Sequence, residues 1–123
     1  MDAPYILIVD DDEATCAVLG LALRTEGYFC RVAHSLKAAL AILGTGDIPD
    51  LILLDLILPD ANGASFLERL AANPAWSRIP VVIMSAWGKA GDVARTAQVE
   101  LLAKPFSLVE AEQVVRRLTS PSN

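Results

Sequence analysis

Five residues of this sequence carry side chains suited to the chemistry of phosphate and metal ions: Asp10, Asp11, Asp55, Ser85 and Lys104. Each one ends a largely apolar run or follows shortly after it. Carboxylates that crowd together repel one another, so they either take up a proton or bind a hard divalent cation. Oxygen ligands suit Mg²⁺, with Mn²⁺ as an alternative ion. If the fold brings these residues together, they predict a magnesium site.

Asp55 is the residue of this set best placed to react. It follows the apolar run 51–54 and precedes a turn that contains Pro59 and Asp60. A carboxyl group of ordinary pKa, near ~4, is ionised at neutral pH and can attack phosphorus without a general base. Phosphoryl transfer then needs alignment and charge neutralisation, which Mg²⁺, an ammonium group and a hydroxyl group supply. The set therefore indicates phosphoryl transfer onto Asp55.

The spacing of apolar residues predicts the elements that position these side chains. Strands and helices alternate five times, which favours an α/β fold with a parallel sheet and helices on both faces. The second and fifth strands each carry a charge, so we expect them at the edges of a doubly wound, flavodoxin-like sheet of order 2-1-3-4-5. All strands of such a sheet open their carboxyl ends on one edge, where the five residues would meet. The predicted strands are 5–9, 28–33, 51–55, 81–84 and 99–103, and the predicted helices are 13–26, 36–43, 63–72, a weak and mobile one within 87–96, and 108–118.

The length, charge and apolar runs of the sequence exclude several classes of protein. The 123 residues predict one domain, 1–123, with a core of about 5–119 and a tail or linker start at 120–123. A net charge of -5 argues against direct binding of nucleic acid, and no apolar run is long enough to span a membrane. We therefore expect a cytoplasmic protein in which Cys16 and Cys30 are buried thiols. His34, the single histidine, is expected at the surface.

Four segments together resemble the receiver domains of two-component response regulators, including the single-domain chemotaxis regulators. Each segment alone is moderately specific, whereas the four in this order at strand ends are strongly specific. The resemblance extends from about Ile6 to Leu118. The segments are ILIVDDDE at 6–13, DLILPDANG at 55–63, PVVIMSA at 80–86 and KPF at 104–106.

The resemblance implies a role for each residue of the site. Asp55 would be the phosphoacceptor, Asp11 a direct Mg²⁺ ligand, and Asp10 a ligand acting mostly through water. The backbone carbonyl of Ile57 would complete the protein ligands of the metal, together with an oxygen of Asp55. The phosphoryl donor would be a histidine kinase or a phosphotransfer protein, and the output a downstream protein or an attached domain. Such a domain catalyses its own phosphorylation and slow dephosphorylation and is not a turnover enzyme.

The resemblance also implies roles for residues of the last third of the chain. Ser85 would be the switch hydroxyl group, and Lys104 would bind the phosphoryl oxygen. The bond between Lys104 and Pro105 would be cis. No direct contact with nucleic acid or membrane is expected.

Three positions depart from the usual family pattern or tune it. Leu101 stands where the family usually has a Tyr or Phe that moves inward on phosphorylation, so the surface of the fourth and fifth helices is expected to signal differently. Ile57 and Trp87 stand where family members flank the path of the water that attacks the phosphoryl group. Both are bulky and apolar, which predicts slow self-dephosphorylation.

Two other functions compete with this one. A haloacid-dehalogenase-like phosphatase also has an Asp-x-Asp motif after its first strand, matched superficially by Asp10 and Asp12, but its later acidic pair and its cap are not apparent. Multiple turnover of phosphomonoesters would favour it. The second alternative is a degenerate receiver that acts only as a docking module, and failure to bind Mg²⁺ would favour that one.

Overall fold

The computed structural model describes residues 3–120, which form a five-stranded parallel sheet of order β2-β1-β3-β4-β5. This order confirms the predicted doubly wound fold. Every strand is followed by a helix, and the register places the carboxyl ends of the strands on one edge. The elements are β1 (Tyr5–Val9), α1 (Glu13–Thr25), β2 (Phe29–Ala33), α2 (Leu36–Gly44), β3 (Leu51–Asp55), α3 (Gly63–Ala72), β4 (Val81–Ser85), α4 (Ala90–Ala97), β5 (Glu100–Ala103) and α5 (Leu108–Thr119).

The three central strands are buried along their whole length, as their unbroken apolar runs predict. Alternate residues of each strand face opposite sides of the sheet and join two separate apolar clusters. One cluster packs against α2, α3 and α4, and the other packs against α1 and α5. The edge strands β2 and β5 are partly exposed, which agrees with the charges that they carry.

The helix ends follow from local capping chemistry. Asp12 caps α1 by accepting a hydrogen bond from the Ala14 N–H, and Gly27 adopts a φ of 97° just beyond its end. Ser107 and Glu110 form the predicted capping box at the start of α5. The weak helix predicted within 87–96 forms at Ala90–Ala97, and Lys89 at its start provides no side-chain cap.

The remaining expectations about the chain concern its cysteines, its strand ends and its termini. Cys16 and Cys30 are both free and buried, and burial raises the pKa of the Cys16 thiol to about 12. Strands β2 and β5 each begin one residue later than predicted. Within residues 3–120 no helix is both long and apolar enough to cross a bilayer. The predicted tail begins at residue 120, and its positions 121–123 lie outside the described residues.

Gly63 lets α3 begin directly against the end of β3. A Cβ atom at this position would lie 2.8 Å from the Leu56 Cα and 3.0 Å from the Asp55 backbone oxygen. Both neighbours are backbone atoms at the carboxyl edge of the sheet, so they cannot move aside without displacing Asp55 itself. We expect Gly63→Ala to lower the free energy of unfolding by about 2 kcal/mol, as measured by urea denaturation.

Gly44→Ala is the matched control for this substitution. Gly44 is the last residue of α2, and a Cβ atom there would meet nothing within 4 Å. Because alanine is the better helix former, this variant is expected to keep or gain stability. Equal stability of the Gly63 and Gly44 variants would contradict the steric explanation.

Candidate functional site

The carboxyl edge of the sheet brings together the predicted site residues. Asp10 follows β1, Asp55 ends β3, Ser85 ends β4 and Lys104 follows β5. The register pairs Asp55 with Met84 and Ser85 with Ala103, which sets these strand ends side by side. Neighbouring strands lie about 5 Å apart, so side chains at these ends are within reach of one another.

Three carboxylates form the acidic part of the site. One oxygen each of Asp10, Asp11 and Asp55 lies within 4.8 Å of the other two. Asp10 and Asp55 are buried, whereas Asp11 is exposed. The Oδ1 atom of Asp10 accepts a hydrogen bond from the Asp12 N–H at 3.0 Å, and its Oδ2 atom accepts one from Lys104 Nζ at 2.8 Å. Because both Asp10 oxygens are engaged, Asp11 is the more open of these two for a direct metal bond.

The donor set fits a hard divalent cation. It consists of carboxylate oxygens without sulfur or imidazole, which is the chemistry that Mg²⁺ and Mn²⁺ prefer. The close approach of three acidic groups also favours a divalent cation, because an ion between them would relieve their mutual repulsion. The residues present therefore suit the metal that the sequence predicts.

Lys104 bridges the two buried carboxylates. Its Nζ atom lies 2.8 Å from Asp10 Oδ2 and 3.4 Å from Asp55 Oδ2. Burial alone lowers the pKa of this ammonium group, but the hydrogen bond and charge of Asp10, followed by Asp55, outweigh burial and raise the pKa above its ordinary value. The Lys104 side chain is therefore positively charged and held between the two buried carboxylates.

Asp55 has a pKa above the ordinary value that the sequence alone suggested. Burial is the largest cause, and the charge of Asp10 adds to it. Two effects oppose this rise and lower the pKa of Asp55. They are the hydrogen bond that the Ile57 N–H donates to Asp55 Oδ1 at 3.1 Å, and the charge of Lys104. A carboxylate that is partly stripped of water and held by two donors is a well-oriented nucleophile.

The loops after β4 and β5 complete the edge. The Ser85 hydroxyl oxygen accepts a hydrogen bond from the Trp87 N–H at 3.0 Å. The Lys104 N–H donates to the Ser85 backbone oxygen at 2.9 Å, which ties the two loops together. The bond between Lys104 and Pro105 is cis, as the resemblance implies.

Comparison with known proteins gives the family. The sequence matches the response regulator receiver domain over residues 6–116. The chain belongs to this family. Receiver domains are the signal-receiving parts of two-component response regulators and are not conventional enzymes, so the family does not favour a haloacid-dehalogenase-like phosphatase.

The relatives of this receiver domain are mostly longer proteins. The transcriptional regulatory protein PmrA of Pectobacterium parmentieri is 40% identical over 116 residues, which are 92% of this chain and 51% of that protein. The response regulator PleD of Caulobacter vibrioides is 35% identical over 117 residues, which are 93% of this chain and 26% of that protein. The chain thus spans between about a quarter and about half of the length of these curated relatives.

Solved structures agree with the fold of this receiver domain. A crystal structure assigned as a response regulator, from Chloroflexus aurantiacus J-10-fl, superposes with a TM-score of 0.89 at 30% identity and covers 98% of this chain and 100% of that one. The chemotaxis response regulator CheY4 of Vibrio cholerae has the same fold, with a TM-score of 0.85 at 19% identity over 94% of this chain and 98% of that one.

The switch position Leu101 and the two lifetime-tuning positions that the resemblance implies are all partly open to solvent. Ile57, Trp87 and Leu101 are 59%, 41% and 38% exposed, respectively. Ile57 and Trp87 follow the two strands that present Asp55 and Ser85, and their backbone N–H groups bond to those side chains. Leu101 lies on the edge strand β5, pairs with Ile83 and has no polar atom in its side chain.

Two side chains that the sequence did not place in the site contact its surroundings. His34 is exposed, as expected, and its Nδ1 atom lies 2.9 Å from the backbone oxygen of Asp10. Asp60, interpreted from the sequence only as part of a turn, accepts hydrogen bonds from the first two N–H groups of α2. Asp60 and α2 are more than twenty positions apart along the chain, and apolar spacing carries no information about such a polar contact.

Proposed function

We propose that this receiver domain takes a phosphoryl group onto Asp55 from the phosphohistidine of a histidine kinase or phosphotransfer protein. Mg²⁺, or Mn²⁺ in its place, would be held directly by Asp11, Asp55 and the backbone carbonyl of Ile57, and mostly through water by Asp10. The observation that carries the proposal is the position of Lys104 between two buried carboxylates. One oxygen of the exposed Asp11 lies within 4.8 Å of oxygens of both buried carboxylates, so three carboxylates are available to a cation.

The chemistry follows from the contacts of Asp55. A carboxylate oxygen of Asp55 attacks phosphorus, the bond from phosphorus to the histidine nitrogen breaks, and the imidazole takes that electron pair. Lys104 provides a positive charge for the phosphoryl oxygens, and Ser85 provides a hydroxyl donor. The bound metal supplies neutralisation of the phosphoryl charge. The Ile57 N–H keeps the carboxylate oriented through its contact with Oδ1.

The product is a signalling state and not a released compound. The domain would catalyse its own phosphorylation and its slow dephosphorylation, and it would act on a downstream protein or an attached output domain. Leu101 replaces the usual aromatic residue on β5, so we expect the surface formed by α4, β5 and α5 to report phosphorylation differently from the common family pattern. Removal of Leu101 would then have little effect on phosphorylation itself.

Acetyl phosphate with Mg²⁺, followed by intact mass measurement, tests the proposal. The wild type is expected to gain one phosphoryl group, and the gain is expected to vanish in Asp55→Asn. An adduct that persists in the variant would place the phosphoacceptor elsewhere. Continuous release of phosphate from simple phosphomonoesters, without a stable adduct, would support the phosphatase instead.

Trp87 is expected to lengthen the life of the phosphorylated state. Trp87 stands two residues after Ser85, as Ile57 stands two residues after Asp55. In this proposal the two apolar side chains limit the approach of water to the phosphoryl group from the two strand ends. Trp87→Ala is expected to shorten the half-life of the aspartyl phosphate roughly fivefold, which corresponds to a barrier about 1 kcal/mol lower. The measurement is the loss of the adduct mass with time after acetyl phosphate is removed.

Val109→Ala is the control for the loss of an exposed apolar side chain. Val109 is 60% exposed on α5, a helix that follows β5 and neither of the strands that end in Asp55 and Ser85. This variant is expected to dephosphorylate at the rate of the wild type. An unchanged half-life in Trp87→Ala would refute the shielding role.

A further inference from the structure

Hydrogen bonds at the base of the loop between β3 and α3 hold its two ends together. The Ile57 N–H bonds to Asp55 Oδ1, Ile57 and Asn62 form an antiparallel bridge, and the Gly63 N–H donates to the Leu56 oxygen at 2.8 Å. Four residues, 58–61, extend from this base. The Ile57 carbonyl belongs to the peptide bond that joins Ile57 to the first of these residues, so the placement of residues 58–61 bears on the orientation of that carbonyl.

Asp60 attaches the tip of this loop to another element. Its Oδ1 accepts a hydrogen bond from the Leu36 N–H and its Oδ2 one from the Lys37 N–H, both at 2.9 Å. Those groups are the first two N–H donors of α2, which have no partner within the helix. Within residues 3–120, these are the side-chain hydrogen bonds that join positions 57–61 to an element other than β3 and α3.

The receiving helix is itself firmly held. Leu36, Ala39 and Leu43 of α2 are buried in the apolar cluster on that face of the sheet. The two backbone N–H donors lower the pKa of the Asp60 carboxyl, so the group is ionised at neutral pH and its bonds are charge-assisted. A surface side chain of the loop is thereby fixed to a rigid part of the molecule.

We propose that Asp60 is a positioning residue for the metal site: by holding the β3–α3 loop against the start of α2, it fixes the Ile57 peptide relative to Asp55. The inference rests on the proposed function, in which the Ile57 carbonyl is a metal ligand. Asp60 itself does not touch the metal in this proposal. Its effect reaches the site through the loop, as outer partners of metal ligands generally act.

Asp60 also caps α2, so its positioning role must be separated from that capping role. Ser35 provides the separation, because its hydroxyl oxygen accepts from the Ala38 N–H at the same helix start without contacting the loop. Ser35→Ala weakens the start of α2 and leaves the loop attached. Asp50→Ala controls for a lost carboxylate, since Asp50 bonds to the Tyr5 N–H at the opposite edge of the sheet.

The experiment titrates each variant with Mn²⁺ alone and follows the free ion by electron paramagnetic resonance. Asp60→Ala is expected to weaken Mn²⁺ binding about tenfold relative to the wild type. Ser35→Ala and Asp50→Ala are expected to stay within about twofold. Asp60→Asn, which keeps one acceptor oxygen and loses the charge, is expected to fall between Asp60→Ala and the wild type.

Three results would overturn the inference alone, provided that the wild type binds Mn²⁺. They are wild-type affinity in Asp60→Ala, an equal loss in Ser35→Ala, and an equal loss in Asp60→Asn and Asp60→Ala. The third result would mean that the acceptor oxygen kept by asparagine does not hold the loop. Thermal melting by circular dichroism shows which variants are folded. If Asp60→Ala is unfolded, Asp60→Asn takes its place, and binding no weaker than in Ser35→Ala overturns the inference. No Mn²⁺ binding by the wild type would overturn the proposed function as well.

Discussion

Asp55→Asn is expected to abolish phosphorylation and, at the same time, to stabilise the protein in the absence of divalent metal. The asparagine can still accept the hydrogen bond from the Ile57 N–H, which Asp55 Oδ1 accepts at 3.1 Å. The substitution removes a buried negative charge beside Asp10 and leaves Lys104 paired with Asp10 at 2.8 Å. Because a buried charge that faces another carboxylate lowers stability, we expect its removal to bring a gain of about 1 kcal/mol at neutral pH.

The sign of this effect follows from the pKa of Asp55. Burial first, and then Asp10, raise that pKa in the folded protein above its ordinary value of 3.8. The folded protein therefore holds a proton that the unfolded chain has already released, and stability falls as the pH rises from that value through the folded pKa. The ionised form lowers stability throughout the neutral range, so the advantage of Asp55→Asn is expected at neutral pH and should disappear in acid.

Thermal melting in the presence of a chelator measures the difference. A gain of about 1 kcal/mol corresponds to a rise of about 4 °C in Tm for a domain of this size. Asp50→Asn is a suitable control, because Asp50 also accepts a backbone hydrogen bond but is exposed. Asparagine at position 50 is expected to bring no gain. A lower Tm for Asp55→Asn than for the wild type at neutral pH would contradict the explanation.

The fold was predictable because the composition of each strand indicates whether that strand is central or at an edge of the sheet. The apolar runs of β1, β3 and β4 indicate burial on both faces, and the charges of Arg31 and Glu100 indicate edges. With right-handed crossovers these two observations limit the strand order to a few options, and they fit the observed order 2-1-3-4-5. The order in turn brings Asp10, Asp55 and Lys104 to one edge, so the site was predictable to the same extent.

The features that were not predictable depend on distances that sequence patterns do not contain. The raised pKa of Asp55 results from burial and from Asp10, and neither its sign nor its cause can be deduced from a strand ending in aspartate. Asp60 meets α2 through hydrogen bonds to N–H groups that lie 24 and 23 positions away along the chain. The bounds of α4, Ala90–Ala97, could not be deduced from a segment whose two glycines weaken the helical pattern.

Lys104→Met is expected to separate the binding of metal from the transfer of the phosphoryl group. Lys104 Nζ lies between Asp10 Oδ2 and Asp55 Oδ2, so its removal increases the negative charge that faces a divalent ion. Mn²⁺ should therefore bind at least as tightly as in the wild type. Phosphorylation by acetyl phosphate, however, should slow about 100-fold, since a preorganised donor to the phosphoryl oxygens is lost.

The fully buried Asp10 determines how this variant must be studied. Without Lys104 it loses its ion-pair partner and keeps only the Asp12 N–H, so the metal-free variant is expected to be less stable than the wild type. Rates should accordingly be compared at saturating Mg²⁺, with Lys89→Met as a control for the loss of an exposed lysine near the same edge. If Lys104→Met bound Mn²⁺ poorly but transferred phosphate at the wild-type rate once loaded, Lys104 would organise the carboxylates and would not contact the phosphoryl group. The opposite pair of results, tight metal binding with slow transfer, is the one that a phosphoryl-binding ammonium group requires.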